Sequence, residues 1–197
     1  DREEDVFRLQ KLINSFRLLD EDDQELAIRL LETLVQDRQQ KKQLSLRDHY
    51  MILPQMPEAT SAGASCKVQD LPPKPVIVRI SSKASRSDAL VRMEGDGMEP
   101  VYHNGDLLFF RFTQVAYPKQ DVVCSSADGM IVRRVSTENT LYSVNSERPV
   151  VNYEDKNVRI VGVVTGVADE EDFPDKKDEA LLDQAFEVEL REFGTDI

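Results

Sequence analysis

The sequence predicts a mainly β domain that carries an amino-terminal helical hairpin and a carboxy-terminal helix, and three patterns predict it. Seven short runs rich in β-branched and aromatic residues succeed one another between residues 76 and 167, separated by turn signals. Apolar residues recur at helical spacing at both ends of the chain. Between the first helices and the β runs lies a proline-rich stretch, residues 45–75, that disfavours long helices.

The chain has 197 residues and 40% hydrophobic content, enough for one ordinary domain with appendages or two small ones. No run of ~18 apolar residues occurs, so nothing is predicted to span a membrane, and the acidic start Asp1-Arg2-Glu3-Glu4-Asp5 is unlike a signal peptide. A cytoplasmic location is the expectation. The chain opens on Asp1 rather than Met, so we read it as part of a longer protein. Cys66 and Cys124 lie far apart with no CxxC partner, and His49 and His103 are too few for a His-rich site. No metal and no cofactor is assigned.

Net charge is −12, distributed as −3 over residues 1–44, zero over 45–167 and −9 over 168–197. Non-specific affinity for nucleic acid comes from neutralising phosphates with Lys and Arg, and this charge pattern is a poor match to that task. If the protein acts on DNA, the binding domain is expected upstream of Asp1.

The first helix is predicted near residues 3–18 from Val6, Leu9, Ile13 and Phe16, with Leu12 widening the stripe. A second begins at Asp20-Glu21-Asp22-Asp23, whose acidic side chains cap free amides and complement the helix dipole. Its stripe is Ala27, Leu30, Leu31, Leu34 and Val35. The short break folds the pair back as a hairpin spanning 1–44, and two such helices bury too little alone, so they require a partner surface. Leu19-Asp20-Glu21-Asp22-Asp23-Gln24-Glu25-Leu26-Ala27-Ile28-Arg29-Leu30 resembles the helix between the DNA-binding and peptidase-like domains of Xre-type bacterial repressors. A generic amphipathic hairpin explains the same pattern.

In the stretch 45–75, Pro54, Pro57, Pro72, Pro73 and Pro75 argue for an extended linker. The β runs follow: Val76–Val78, Ala89–Val91, Leu107–Phe110, Val122–Cys124, Met130–Val132, Leu141–Val144 and Val158–Val164. Asp128-Gly129 reads as a hairpin turn. The acidic tail, 168–197, opens on Asp169-Glu170-Glu171-Asp172 and regains a helical stripe through Leu182, Phe186, Leu190 and Phe193. That helix is expected to dock on the hairpin, a second subunit, or its own β domain.

The most informative stretch is Met93-Glu94-Gly95-Asp96-Gly97-Met98-Glu99-Pro100, followed by Asn104-Gly105-Asp106 and the apolar run Leu107–Phe110. Gly95 and Gly97 permit unusual backbone angles, Pro100 can start a helical turn, and Asn104-Gly105 is a turn signal before a strand. These residues resemble the Gly-Asp-Ser-Met-x-Pro…Gly-Asp motif of the LexA/UmuD self-cleaving serine peptidases and phage-repressor C-terminal domains. The resemblance covers about 62–167 and implies a LexA-like, signal-peptidase-like β domain.

In that family a Ser hydroxyl attacks a peptide carbonyl and a buried neutral Lys takes its proton. Here the Ser position is Gly97. Aligning Met130-Ile131-Val132-Arg133-Arg134-Val135 on the hairpin strand that carries the Lys puts Arg133 at the base position. Glycine has no nucleophile, and a guanidinium is no base near neutral pH. A one-residue slip brings Arg134, not a lysine; Lys119 reads as a surface residue and Ser125 and Ser126 as hairpin residues. The family's cleavage site, Ala-Gly or Cys-Gly, corresponds to Ala62-Gly63.

The resemblance implies the oligomerisation and regulatory part of a LexA-like transcriptional repressor, silent as a peptidase by these two losses, homodimeric, and touching DNA only through an upstream domain. The retained loop, Gly95, Asp96, Met98 and Pro100, then serves shape or the binding of an extended segment, either the chain's own 60–70 stretch or a partner peptide. Two alternatives remain open: a self-cleaving Ser/Lys peptidase disabled by engineering at Gly97, and a UmuD-like or anti-repressor interaction module.

Overall fold

In a computed structural model the described residues are 2–57, 72–126, 129–138, 140–145 and 158–193, with the side chains of Arg2 and Glu3 outside the description. The chain divides into two compact units, Asp1–Ser45 and Leu46–Ile197.

The first unit consists of α1 (Arg2–Arg17) and most of α2 (Glu21–Arg47). Asp20 caps α2 as its sequence suggests: its Oδ1 accepts the Asp23 amide at 2.9 Å, and its carbonyl accepts the Gln24 amide at 2.9 Å. Gln24 Nε2 donates to the Phe16 and Leu19 carbonyls at 3.2 and 3.0 Å, tying the turn that reverses the chain. No described residue of either helix is buried within this unit. The helix ends beyond residue 44, because Gln36–Gln43 is polar but free of Gly and Pro and nothing there stops helical propagation.

The second unit is built on one eight-stranded sheet in the order β2-β1-β3-β4-β8-β5-β6-β7. The strands are β1 (Tyr50–Gln55), β2 (Lys74–Arg79), β3 (Ala89–Arg92), β4 (Leu107–Phe112), β5 (Asp121–Ser126), β6 (Gly129–Val135), β7 (Leu141–Tyr142) and β8 (Arg159–Val167). The pairings are antiparallel except for a single parallel pair, Gln55 with Leu90, between β1 and β3. Central strands are filled on both faces, which is why they read as continuous apolar runs. In β4, Leu108 and Phe110 enter one cluster with Val91, Met98, Val123 and Val132, while Phe109 enters another with Leu53, Val78 and Leu90. A third cluster joins Val122, Cys124, Val135, Leu141 and Ile160.

β1 corrects the sequence reading, which put these residues in a linker. Pro54 lies opposite Pro75 in the β1–β2 ladder, so two residues without an N–H face each other, and a non-hydrogen-bonded pair tolerates both. Tyr50 and Leu53 are buried, and the strand is anchored by packing despite its proline. The run Leu141–Val144 is also shorter than expected, since β7 ends at Tyr142.

Gly162 on β8 allows a close approach. A Cβ there would lie 2.5 Å from Phe110 Cδ2 and closer still to the Arg111 carbonyl oxygen. Ladder irregularities flank it, between Phe109 and Phe110 on β4 and between Val123 and Cys124 on β5.

After β8, Lys83 pins the chain: its Nζ donates to the Val167 carbonyl at 3.1 Å, to Asp169 Oδ2 at 2.9 Å and to Asp172 Oδ2 at 2.6 Å. Burial would lower the Lys83 pKa, but the hydrogen bonds and charges of Asp169 and Asp172 more than offset this and raise it. The carboxy-terminal helix is two, α3 (Lys176–Ala185) and α4 (Glu187–Glu192), because Phe186 leaves the helical region. Leu182, Phe186 and Leu190 still share a face and seat on Tyr50, Ile52 and Ile77, so of the expected partners the chain's own β domain takes them. Arg47 donates to the Ala185 carbonyl at 3.1 Å, pairs with Glu189 and lies over the Phe186 ring. No described helix is long and apolar enough to cross a membrane.

Candidate functional site

The loop between β3 and β4 is set by backbone chemistry at both ends. Met93 closes it, donating its amide to the Asp106 carbonyl at 2.7 Å and accepting the Gly105 amide at 2.8 Å. Gly95 and Gly105 occupy the left-handed region, at φ 77° and 94°, and the Gly95 amide is held by Asn104 Oδ1 at 2.9 Å. Gly97, by contrast, lies outside that region, so its backbone would accept a side chain. The helical turn expected at Pro100 is a run of turns containing a cis Glu99–Pro100 bond, with the Val101 and Tyr102 amides both directed to the Met98 carbonyl. Met98 is fully buried among Met93, Leu108 and Val132, and it anchors the loop to the core.

Tyr102 fixes the far side of the loop. Its hydroxyl donates to Asp121 Oδ2 at 2.8 Å, and Asp121 also receives Arg134 through Nε at 2.6 Å and Nη2 at 2.9 Å. Burial and then the Asp121 carboxylate push the Tyr102 phenol well above its ordinary pKa. Arg134 is thereby committed to a structural fork, its pKa raised first by the Asp121 hydrogen bond.

Arg133, one residue earlier on β6 and opposite Val122, faces the loop at Gly97 instead. A Cβ built on Gly97 would lie 3.5 Å from Arg133 Nη1, 3.4 Å from Ser143 Oγ and 3.8 Å from Ser143 Cβ, all ordinary contacts. Two positions 36 residues apart in sequence are thus neighbours in space, across a cleft of about 190 Å³ lined by Arg92–Gly97 and Met130–Arg133. Arg133 Nη1 also donates to the Val132 carbonyl at 2.7 Å. Its charge pulls the Cys124 thiol down, yet burial dominates and pushes that thiol up to about 12.

Two residues at the site escaped the sequence reading. Asn145 donates its backbone amide to the Gly97 carbonyl at 3.0 Å and its Nδ2 to the Asp96 carbonyl at 3.1 Å, tying the loop to the segment that follows β7. Ser143 presents a buried hydroxyl that has no hydrogen-bond partner among the described residues. A polar Ser-x-Asn directly after a short strand was the available signal, hidden when Ser143 was read as part of the strand. Lys119 is exposed in its turn, and Ser126 Oγ donates to the Gly129 carbonyl at 2.9 Å; neither lines the cleft beside Gly97. Ala62 and Gly63 lie outside the described residues.

Chemically, the cleft pairs a position that accepts a side chain without strain with a guanidinium that cannot act as a base. Along β6, β7 covers only Arg134 and Val135 among the described residues, while the cleft follows Met130–Arg133. An extended segment lying there would meet backbone on both sides. The family model described as peptidase S24-like matches residues 54–165. No curated protein matches the chain.

Proposed function

The chain belongs to the peptidase S24-like family, and from that premise we propose that it is the regulatory and oligomerisation part of a LexA-like transcriptional repressor whose peptidase site is chemically silent. The observation that carries this reading is the pairing of Gly97 with Arg133. The nucleophile and base positions of the family stand within contact of each other, and one holds no side chain while the other holds a permanent cation. The loop around them keeps its anchors: Met98 in the core, Asn145 on its carbonyls and Tyr102 on Asp121. Shape is retained where chemistry is lost, which suits a domain that holds a segment rather than cuts it.

DNA contact is assigned to a domain upstream of residue 1, and homodimerisation would set the spacing of two such domains on paired half-sites. The cleft is assigned to an extended segment, the chain's own 60–70 stretch or a partner peptide, added alongside β6. The test is intact-mass analysis of the 197-residue chain incubated at pH 7 and pH 9. The parent is expected to stay whole at both, and fragments ending at Ala62 would overturn the proposal.

A further inference from the structure

The helices of the first unit leave their apolar residues uncovered. Leu31, Leu34 and Val35 are 45%, 64% and 55% exposed, and a groove of about 640 Å³ runs between α1 and α2, lined by Leu12, Ile13, Phe16, Ala27, Leu30 and Leu31. Water against this much aliphatic surface is unfavourable by roughly 25 cal/mol per Å². The charge sequence of α2 says what covers it. Glu21, Asp22, Asp23 and Glu25 give its first five residues −4, the middle from Leu26 to Val35 is mainly apolar, and Gln36–Lys42 carries +2 through Asp37, Arg38, Lys41 and Lys42.

Such a helix is complementary to itself when reversed. We propose that α2 pairs antiparallel with α2 of a second copy of this chain, centred on Leu31. This rests on the dimeric regulator reading and names its contact surface. With Leu31 on the two-fold axis, Ala27 of each copy lies opposite Val35 of the other, Gln24 opposite Arg38, and the unlike pairs Asp20 with Lys42 and Glu21 with Lys41 outnumber the like pair Glu25 with Asp37. The grooves between α1 and α2 then face each other and close into a four-helix core. A parallel pairing would stack Glu21–Glu25 on its own copy, and like charges in contact oppose association. The antiparallel register brings unlike ends together and makes the contact isologous, as a closed dimer requires.

Sedimentation equilibrium of the 197-residue chain tests it. The parent is expected to dimerise, more weakly as salt rises, and Leu31→Lys, which sets two ammonium groups against each other on the axis, should weaken association at least tenfold with an unchanged circular dichroism spectrum. Leu31 is 45% exposed, and the unchanged spectrum is the check that the helices remain formed. A second measurement fixes the direction: with Cys66 replaced by serine, an equimolar mixture of Ala27→Cys and Val35→Cys chains should oxidise mainly to the mixed disulfide. Disulfides between two Ala27→Cys chains in excess would overturn the antiparallel register. A dimer unmoved by Leu31→Lys would overturn this surface and leave the regulator reading standing, whereas a parent that stays monomeric would overturn both.

Discussion

The β unit and the helical unit use apolar residues in opposite ways. In the β unit Phe109, Phe110, Leu90 and Leu108 have no exposed surface, and each finds its contacts within the chain. In the helical unit Val6, Phe7, Leu9, Leu30, Leu34 and Val35 are all exposed by more than half. Hydrophobic content is thus no guide to where stability resides. The β unit buries its large apolar side chains within itself, whereas the helical unit leaves its own exposed.

Substitutions separate the two most widely in the sheet. Phe109→Ala removes a ring that meets Leu53, Val78 and Leu90, and should lower stability by about 3–5 kcal/mol in chemical denaturation. A loss below about 1 kcal/mol would mean the β unit is looser than its burial indicates. Gly162→Ala should cost about 1–3 kcal/mol, since the added methyl meets the Arg111 carbonyl and the Phe110 ring. No change in the denaturation midpoint would show that β4 and β8 can separate freely.

The buried thiol adds a pH dependence. Cys124 is held neutral to about 12, above its ordinary 9.0, so the unfolded chain releases this proton first as pH rises. The contribution is fully present below pH 9.0 and is lost progressively between there and about 12, with a slope of roughly 1.4 kcal/mol per pH unit. Cys124→Ala should flatten that part of the stability curve, and an unaltered slope would assign it elsewhere. The smallest effect belongs to the helices: Leu34→Ala, at a side chain already 64% exposed, should change the stability of the β unit by less than about 0.5 kcal/mol.

Much of this contrast was legible in the sequence. The helical stripes, the Asp20 cap and the apolar runs of β3, β4, β5 and β8 follow from local pattern and capping chemistry, because pattern and burial agree there. β1 was lost because Pro54 and the prolines around it outweighed Tyr50 and Leu53, and only the partner Pro75 explains why a strand survives. The break at Phe186 was invisible because the stripe Leu182, Phe186, Leu190 persists across it.

At the site, motif spacing singled out Gly97 and Arg133, which the structure places side by side, but Ser143 and Asn145 come from a segment whose approach is purely tertiary. The glycines also separated by role. Gly95 and Gly105 answer to backbone geometry, while Gly97 leaves room for a side chain.

That room allows the most direct measurement. Gly97→Ser and the double variant Gly97→Ser with Arg133→Lys are incubated side by side at pH 9, and the rate of cleavage between Ala62 and Gly63 is followed by mass. If position 133 is the base position, the double variant should cut at least about 100-fold faster than the single one, the scale of a positioned general base. Equal rates in the two variants would contradict the account, since the guanidinium would then have been no obstacle to the chemistry.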